Sequence, residues 1–117
     1  MIRITVAAFF FVLTSVALAQ EHSHEGEVGR FYENWKMPGV IPRSVSCCDK
    51  KDCAAVEHVR KWNGELQMQR KRDGQWLNIP REKLESNFDD ARDSPDGQSH
   101  MCSNGENVYC AVLGDGI

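Results

Sequence analysis

Five cysteines are the residues of this sequence best suited to covalent or metal chemistry: Cys47, Cys48, Cys53, Cys102 and Cys110. In a small chain of an oxidising compartment, cysteines at such spacings predict a disulfide framework. Cys47 and Cys48 would point to opposite sides of an extended segment, so we expect them to take separate partners. We predict two bridges, at least one of which links the first three cysteines to Cys102 or Cys110. Because five is odd, at least one cysteine is a free thiol, is joined to another molecule or binds a ligand.

The geometry of the last hairpin bears on the pairing. A two-residue loop of Asn104 and Gly105 would place Cys102 opposite Asn107 and turn Cys110 to the other face of the sheet. Each of these two cysteines would then reach the first block more readily than it reaches the other. A five-residue loop would permit a Cys102–Cys110 bridge, so the individual pairs stay open at this point.

The same residues suggest two further kinds of chemistry. Thiol oxidoreductases usually carry Cys-x-x-Cys, whereas four residues separate Cys48 from Cys53. A zinc-type centre would draw on Cys48, Cys53, His100 and Cys102. The spacing of these ligands differs from that of the usual zinc pairs, and an oxidising compartment favours disulfides. We therefore expect His100 and His58 to be half-buried strand or turn histidines, and we rank an exported thiol oxidoreductase third among the functions.

Two histidines near the N terminus form a second candidate metal site. If the chain is cleaved after Ala19, His22 becomes the third residue from the free amine, and His24 follows closely. The amine, two backbone amides and the His22 imidazole can form the square plane that suits Cu(II) or Ni(II). Cyclisation of Gln20 would remove that amine, and a polar tail without metal is the simpler reading. Copper binding by His22 and His24 is the alternative function.

The N-terminal segment has the features of a secretory signal peptide. Arg3 precedes a short apolar run, and Ala17 and Ala19 provide the small side chains of a cleavage site. The run is too short for a stable membrane span, and no second hydrophobic stretch follows it. We predict that residues 1–19 are a signal peptide, that the mature chain begins at Gln20 and that the protein is periplasmic or secreted, with no transmembrane segment.

Size and charge restrict the class of protein further. The chain has 117 residues and a net charge of −3; losing Arg3 with the signal lowers Lys plus Arg from 14 to 13 against 17 acidic residues, which gives −4. These values argue against a multidomain enzyme and a generally basic nucleic-acid binder. A domain of about 100 residues buries only about 60–65% of its unfolded surface. A bridge closing a loop of roughly 50 residues would add about 3–4 kcal/mol of stability.

Hydrophobic spacing and turn residues predict the elements that position these side chains. Residues 20–29 are polar and predict a mobile leader, and residues 30–117 form a single small domain. Apolar side chains three and four residues apart predict a short amphipathic helix: Val28, Phe31, Tyr32 and Trp35. Alternation from Ala54 to Trp62 predicts one strand, followed by a hairpin turn at residues 63–64.

The remaining turn signals complete the predicted fold. Strands are expected at residues 65–70 and 76–79 around a turn at residues 73–74, helical turns at 81–87, and a last hairpin of 99–102 with 108–113. The fold class is therefore mainly β: a small twisted antiparallel sheet or partial barrel with one short N-terminal helix, stabilised by disulfides.

Three motifs in a fixed order resemble those of a known group of proteins. They are Cys47-Cys48-Asp49-x-x-Asp52-Cys53, then Ser94-Pro95-Asp96-Gly97-x-x-His100-x-Cys102, and a closing Tyr109-Cys110 strand. Together they resemble an uncharacterised group of small exported alphaproteobacterial proteins, over about the last 70 residues from Ser46. The resemblance implies an exported, cysteine-braced fold and carries over no activity, cofactor or catalytic residue. Residues 20–35 depart from the group, in which the double cysteine follows the signal closely.

No motif in the sequence assembles a nucleophile with its base, a phosphate loop or a haem attachment site. We therefore predict a non-enzymatic exported binding or envelope-associated module whose partner is an envelope or protein ligand and not a nucleic acid. Residues 70–72, with Arg60 and Lys61, predict a basic patch that could contact anionic envelope polymers. The odd cysteine also allows a dimer through an intermolecular bridge.

Overall fold

The computed structural model describes residues 22–49 and 51–116, so the predicted signal peptide at residues 1–19 lies outside the described residues. The elements in chain order are α1 (His22–Asn34), β1 (Asp52–Val56), β2 (Val59–Trp62), β3 (Glu65–Gln69), β4 (Trp76–Asn78), two 3-10 turns (Arg81–Lys83 and Glu85–Asn87), β5 (Ser99–Asn104) and β6 (Asn107–Val112). The helix starts at His22, within the segment predicted as a leader. No described helix is long and apolar enough to span a membrane.

The strands form two antiparallel sheets, which confirms the mainly β fold with one N-terminal helix and disulfides. The first sheet has the order β1-β5-β6, and the second has the order β2-β3-β4. Within the described residues the two sheets do not close into a barrel. The connection between the two sheets is short, because only Glu57 and His58 separate the end of β1 from the start of β2.

The predicted single strand from Ala54 to Trp62 is wrong in one respect. The chain bends at Glu57 and His58, so that β1 pairs with β5 and β2 pairs with β3. Alternation of side chains reports local extended backbone, and it continues on both sides of a bend. It therefore does not show that the chain has passed from one sheet to the other.

The hairpin between β2 and β3 follows the sequence prediction. Asn63 has φ of 51° and Gly64 has φ of 78°. A two-residue turn of this kind needs positive φ at both positions, and Asn and Gly tolerate that conformation best. The turn residues therefore favour this hairpin.

The last hairpin differs from the predicted register. Asn104 pairs with Asn107, so the turn is Gly105 and Glu106, one residue later than expected. An irregularity between Cys102 and Ser103 then shifts the register, and Cys102 lies opposite Cys110 instead of Asn107. A bulge adds one residue to one strand and so exchanges the faces of the side chains beyond it. Both cysteines consequently face the same side of the first sheet.

The first sheet is buried on both faces, which explains why five of the six residues of β5 are buried. One face packs against the second sheet through Val56, Met68, Leu77, Ile79, Met101, Val108 and Ala111. The other face is covered by α1 and the cysteine loop through Phe31, Trp35, Cys47, Cys102, Cys110 and Val112. The cysteines therefore belong to the core between the helix and the sheet.

A buried arginine joins the two sheets. Arg70, 6% exposed, follows β3 and donates to the Ser103 hydroxyl and the Gly105 carbonyl of the last hairpin. Its other nitrogens donate to both carboxylate oxygens of Asp73. A buried guanidinium is tolerated when its donors are satisfied in this way.

The Asp73 carboxyl is expected to titrate well below the ordinary range. Hydrogen bonds from Arg70 and from the backbone N–H of Gln75 lower its pKa from 3.8 to about 2. Because the folded-state pKa is depressed, the contribution to stability is complete above pH 3.8 and is lost as the pH falls towards about 2. Carboxyl carbon shifts in an NMR titration measure this pKa directly. A midpoint near 3.8 would contradict the ion pair.

Candidate functional site

A long-range disulfide fixes the cysteine loop onto the sheet. Cys47 is bonded to Cys110, 63 positions away, and both residues are fully buried. The Cys47 N–H donates to the Trp35 carbonyl at 2.9 Å, and Lys36 and Ser46 form an isolated β-bridge. Backbone contacts therefore hold the start of the cysteine loop, at Ser46 and Cys47, beside the residues that follow α1.

The other three cysteines form a sulfur cluster. Cys53 and Cys102 are directly opposite one another on β1 and β5, and Cys48 reaches them from the loop. Cys53 Sγ lies within bonding distance of both Cys48 Sγ and Cys102 Sγ, and the latter two atoms are 3.1 Å apart. A disulfide sulfur carries a single S–S bond, so only one of these two bonds can exist in a given molecule. One of the three sulfurs then has no disulfide partner within the cluster.

The cluster also has the ligands of a metal site when reduced. The sulfur atoms of Cys48, Cys53 and Cys102 all lie within 4.8 Å of one another. Three thiolates suit a soft ion such as Cu(I), whereas a disulfide among them removes two ligands. His100 is not part of this cluster, so the predicted set of Cys48, Cys53, His100 and Cys102 is only partly brought together.

The sequence predicted these three cysteines together only as metal ligands with His100, and it gave no Cys-x-x-Cys motif to indicate exchange between them. The reactive neighbours come instead from a loop and from two strands paired across the sheet. The double cysteine is the local signal that could have suggested the sulfur cluster, because the side chains of adjacent residues point to different partners. Cys47 bonds to Cys110 and Cys48 lies against Cys53, as that separation requires.

His100 is fully buried, so its prediction as a half-buried histidine is wrong. Tyr32 Oη lies 2.7 Å from His100 Nδ1, and His100 Nε2 lies 2.7 Å from Asp96 Oδ1. Burial and the charge of Asp96 raise the pKa of Tyr32, so its hydroxyl stays protonated. When the neutral ring donates from Nε2 to Asp96, its Nδ1 accepts from this hydroxyl. This chain of hydrogen bonds fastens α1 to β5. The same prediction is also wrong for His58, which is exposed at the bend after β1.

The Asp96 carboxylate is stabilised within that chain. Burial raises its pKa, but hydrogen bonds from His100, the Gln98 N–H and the Ser94 hydroxyl outweigh burial and lower the pKa overall. The turn at Ser94-Pro95-Asp96-Gly97 therefore positions the carboxylate that hydrogen-bonds to His100. The sequence indicated the turn and gave no signal for this contact.

A second buried polar group lies under the end of α1. Glu85 is 1% exposed, and its Oε1 accepts from Trp35 Nε1 at 2.8 Å and from Arg43 at 2.5 Å. Arg43 also contacts Asp90 at 3.4 Å. The other oxygen, Oε2, has no partner among the described residues. Glu85 therefore stabilises the helix and the loop together.

The outer face of the second sheet presents aromatic and amide side chains around an arginine. Its residues point away from the core and are named here the tryptophan–arginine face: Arg60, Trp62, Gln67, Trp76 and Asn78. The Arg60 guanidinium lies 3.9 Å from the ring centroid of Trp76 and 5.1 Å from that of Trp62. Trp62 is 56% exposed. A large exposed indole of this kind is characteristic of binding surfaces.

The tryptophan–arginine face has an ordered polar row. Arg60 Nε donates to Gln67 Oε1 at 2.8 Å, and Gln67 Nε2 donates to Asn78 Oδ1 at 2.6 Å. These contacts run across all three strands and hold the side chains in fixed directions. In the described part of the chain Arg60 forms no ion pair.

The predicted basic patch is largely neutralised by ion pairs. Arg70 is buried against Asp73, Lys71 contacts Glu57 at 3.1 Å, and Arg72 pairs with Asp52. Such pairs leave Arg60 and Lys61 as the cations of this region that are available to a ligand.

One cleft among the described residues lies between the second sheet and the 3-10 turns. It has a volume of about 690 Å³, with a floor that includes Leu66, Ile79 and Leu84. Lys61 and Glu65 lie at its rim, and Glu65 is paired with Trp62 across the β2–β3 hairpin. The cleft therefore begins at one end of the tryptophan–arginine face.

The histidines of the proposed copper site, His22 and His24, belong to α1, but their side chains lie outside the described residues. Copper binding by this segment stays a prediction, and its test is a Cu(II) titration of the mature protein and its His22→Ala variant.

Comparison with known proteins yields no protein-family model, curated protein or solved structure that matches this chain. The resemblance to the exported alphaproteobacterial group stays a prediction. Two arrangements remain as candidate sites: the tryptophan–arginine face and the sulfur cluster.

Proposed function

We propose that this protein is a non-enzymatic exported binding module whose tryptophan–arginine face binds carboxylate-bearing glycans of the cell envelope. The observation that carries the proposal is the stacking of Arg60 between Trp62, which is 56% exposed, and Trp76. An exported location is supported by the disulfides, which persist in oxidising compartments.

The chemistry of the face fits a sugar polymer. The flat faces of indole rings pack against the C–H groups of pyranose rings, and the sheet places Trp62 and Trp76 on one surface. Amide groups such as those of Gln67 and Asn78 both donate and accept, which suits sugar hydroxyls. The positive charge of Arg60 is complementary to a carboxylate substituent.

The frame behind the face is rigid, which favours affinity. Met68 and Leu77 lie directly behind it in the core and are paired across β3 and β4. Side chains already held by Arg60–Gln67 and Gln67–Asn78 hydrogen bonds lose little conformational entropy on binding. A sheet surface of this kind needs no rearrangement to accept an extended polymer.

Trp62→Ala is expected to weaken binding to purified peptidoglycan sacculi by at least about fivefold, since losing a stacked ring costs roughly 1–3 kcal/mol. Arg60→Gln should weaken it about fivefold and reduce its sensitivity to salt, because one charge-assisted contact is lost. Co-sedimentation measures both effects. Soluble muropeptides should also change the emission of Trp62 and Trp76, whereas Trp35 is fully buried.

Lys61→Ala is the matched control, because Lys61 is an exposed cation on the same strand that points to the other side of the sheet. It should change binding less than about twofold if the face itself is recognised. Equal affinity in the wild type and Trp62→Ala, or no binding to sacculi by the wild type, would refute the proposal. Binding to a protein of the envelope extract and not to sacculi would also count against a glycan ligand.

A further inference from the structure

We propose that Cys48, Cys53 and Cys102 form a thiol–disulfide exchange site, in which one disulfide moves and the odd thiol alternates between Cys48 and Cys102. This activity goes beyond ligand binding and uses a different part of the molecule. The cluster lies on the first sheet, whereas the tryptophan–arginine face belongs to the second.

The geometry gives Cys53 the role of shared partner. Cys53 is opposite Cys102 in the sheet, and Cys48 lies five positions before Cys53 across a tight loop. Each outer sulfur lies within bonding distance of Cys53 Sγ, so either can reach it without a change in the strands. Thiol–disulfide exchange requires a thiol within contact of a disulfide, and the cluster provides this in both arrangements.

The step is balanced and needs no oxidant. The Cys48 thiol loses its proton to solvent, and its thiolate attacks Cys53 Sγ. A Cys48–Cys53 bond forms, the Cys53–Cys102 bond breaks, and the electron pair of the broken bond leaves with Cys102 Sγ. The Cys102 thiolate then takes up a proton. The reverse reaction restores the first arrangement, and the number of disulfides stays the same.

The two arrangements differ in what they present to solvent. Cys48 is partly exposed, whereas Cys102 is fully buried. A thiol on Cys48 can attack an external disulfide, forming a mixed disulfide and releasing one thiolate of that disulfide. A thiol on Cys102 is hidden from such partners. Movement of the internal disulfide therefore controls whether the protein can be joined covalently to a low-molecular-weight or protein disulfide.

The bridge between Cys47 and Cys110 makes the exchange compatible with a stable fold. It is separate from the cluster and anchors the residue immediately before Cys48. The loop backbone is also held by the Ser46 hydroxyl, which accepts from the N–H groups of Cys48 and Asp49 at 3.3 and 3.2 Å. Only the sulfur atoms and their side-chain torsions need to move.

Thiol labelling of the wild-type protein tests the proposal. Native protein treated for a long time with N-ethylmaleimide should carry its label on Cys48, with Cys53 and Cys102 in one disulfide-linked peptide. Protein first acidified to stop thiolate attack, and then unfolded and labelled at mildly acidic pH, should carry label on both Cys48 and Cys102. Mass spectrometry of non-reduced peptides identifies each site.

Two variants provide matched controls, because each leaves a single possible pair in the cluster. Cys102→Ala should hold the Cys48–Cys53 bond, and Cys48→Ala should hold the Cys53–Cys102 bond. In each, the thiol titre with Ellman's reagent after unfolding should fall from one per chain to zero. A thiol confined to one cysteine under both labelling conditions would overturn the proposal, as would a wild-type disulfide-linked dimer without free thiol.

Discussion

Replacing Cys47 and Cys110 together by alanine should lower the free energy of unfolding by about 3–4 kcal/mol. The bridge closes a loop of 63 residues, and this loop is shorter when Cys53 and Cys102 are also bonded. The bridge restricts the unfolded chain, and it also holds the cysteine loop against α1. Both side chains are fully buried, but alanine removes only the sulfur atoms. The double variant leaves no buried thiol in either position that could rearrange with the cluster.

Cys48→Ala is the natural control for this loss, since it changes the neighbouring residue of the same loop. It leaves Cys53 and Cys102 able to bond across the sheet and should cost less than about 1 kcal/mol. Urea unfolding without reductant measures both values, with similar slopes expected if the unfolded states remain comparable. Equal destabilisation by the two changes would contradict the central role given to the Cys47–Cys110 bridge.

Glu85→Ala should lower the free energy of unfolding by about 3 kcal/mol, near the lower limit for breaking a buried ion pair. The change leaves Arg43 without its buried partner and Trp35 Nε1 without an acceptor. We expect the lower limit because the side chain of Arg43 is 16% exposed and retains Asp90 as a second partner. Contact with water and with Asp90 reduces the free-energy cost of leaving the Arg43 charge without Glu85.

Glu82→Ala provides the comparison for Glu85→Ala, because Glu82 is an exposed carboxylate in the preceding 3-10 turn. It should change stability by less than about 0.5 kcal/mol. Thermal unfolding followed by circular dichroism distinguishes the two variants, since near-ultraviolet signals also report the packing of Trp35. A loss for Glu85→Ala no greater than for Glu82→Ala would contradict the buried network.

The two candidate sites can be tested independently because they occupy different sheets. Trp62→Ala removes a ring from the outer face of the second sheet and leaves the sulfur cluster of the first sheet untouched. It should weaken glycan binding without altering which cysteines are labelled. Conversely, Cys48→Ala should abolish the free thiol without changing affinity for sacculi.

The β2–β3 turn and the presence of most strands could be predicted from the sequence because they depend on neighbouring residues. Asn63 and Gly64 accept positive φ and so favour their hairpin wherever it is placed in the fold. Apolar spacing predicted the helix that contains Phe31 and Tyr32, and an odd number of cysteines already required a sulfur without an internal disulfide. The hairpin and the helix follow from local conformation, and the odd sulfur follows from the number of cysteines.

The partners of these elements were decided by contacts between distant residues. Alternation from Ala54 to Trp62 was unable to show that the strand divides between two sheets, because both halves are extended. Full burial of His100 depends on Tyr32, which lies 68 positions earlier. The candidate face likewise needs Arg60 and Trp76 to meet across β3.

The cysteines show the division most clearly. The sequence alone determined that Cys47 and Cys48 should take separate partners, because adjacent side chains of an extended segment diverge. Only the tertiary structure decided which partners those are. A register shift in the last hairpin places Cys102 opposite Cys110, and the pairing of β1 with β5 adds Cys53 beside them. Register results from packing over the whole sheet, and the composition of a single strand does not determine it.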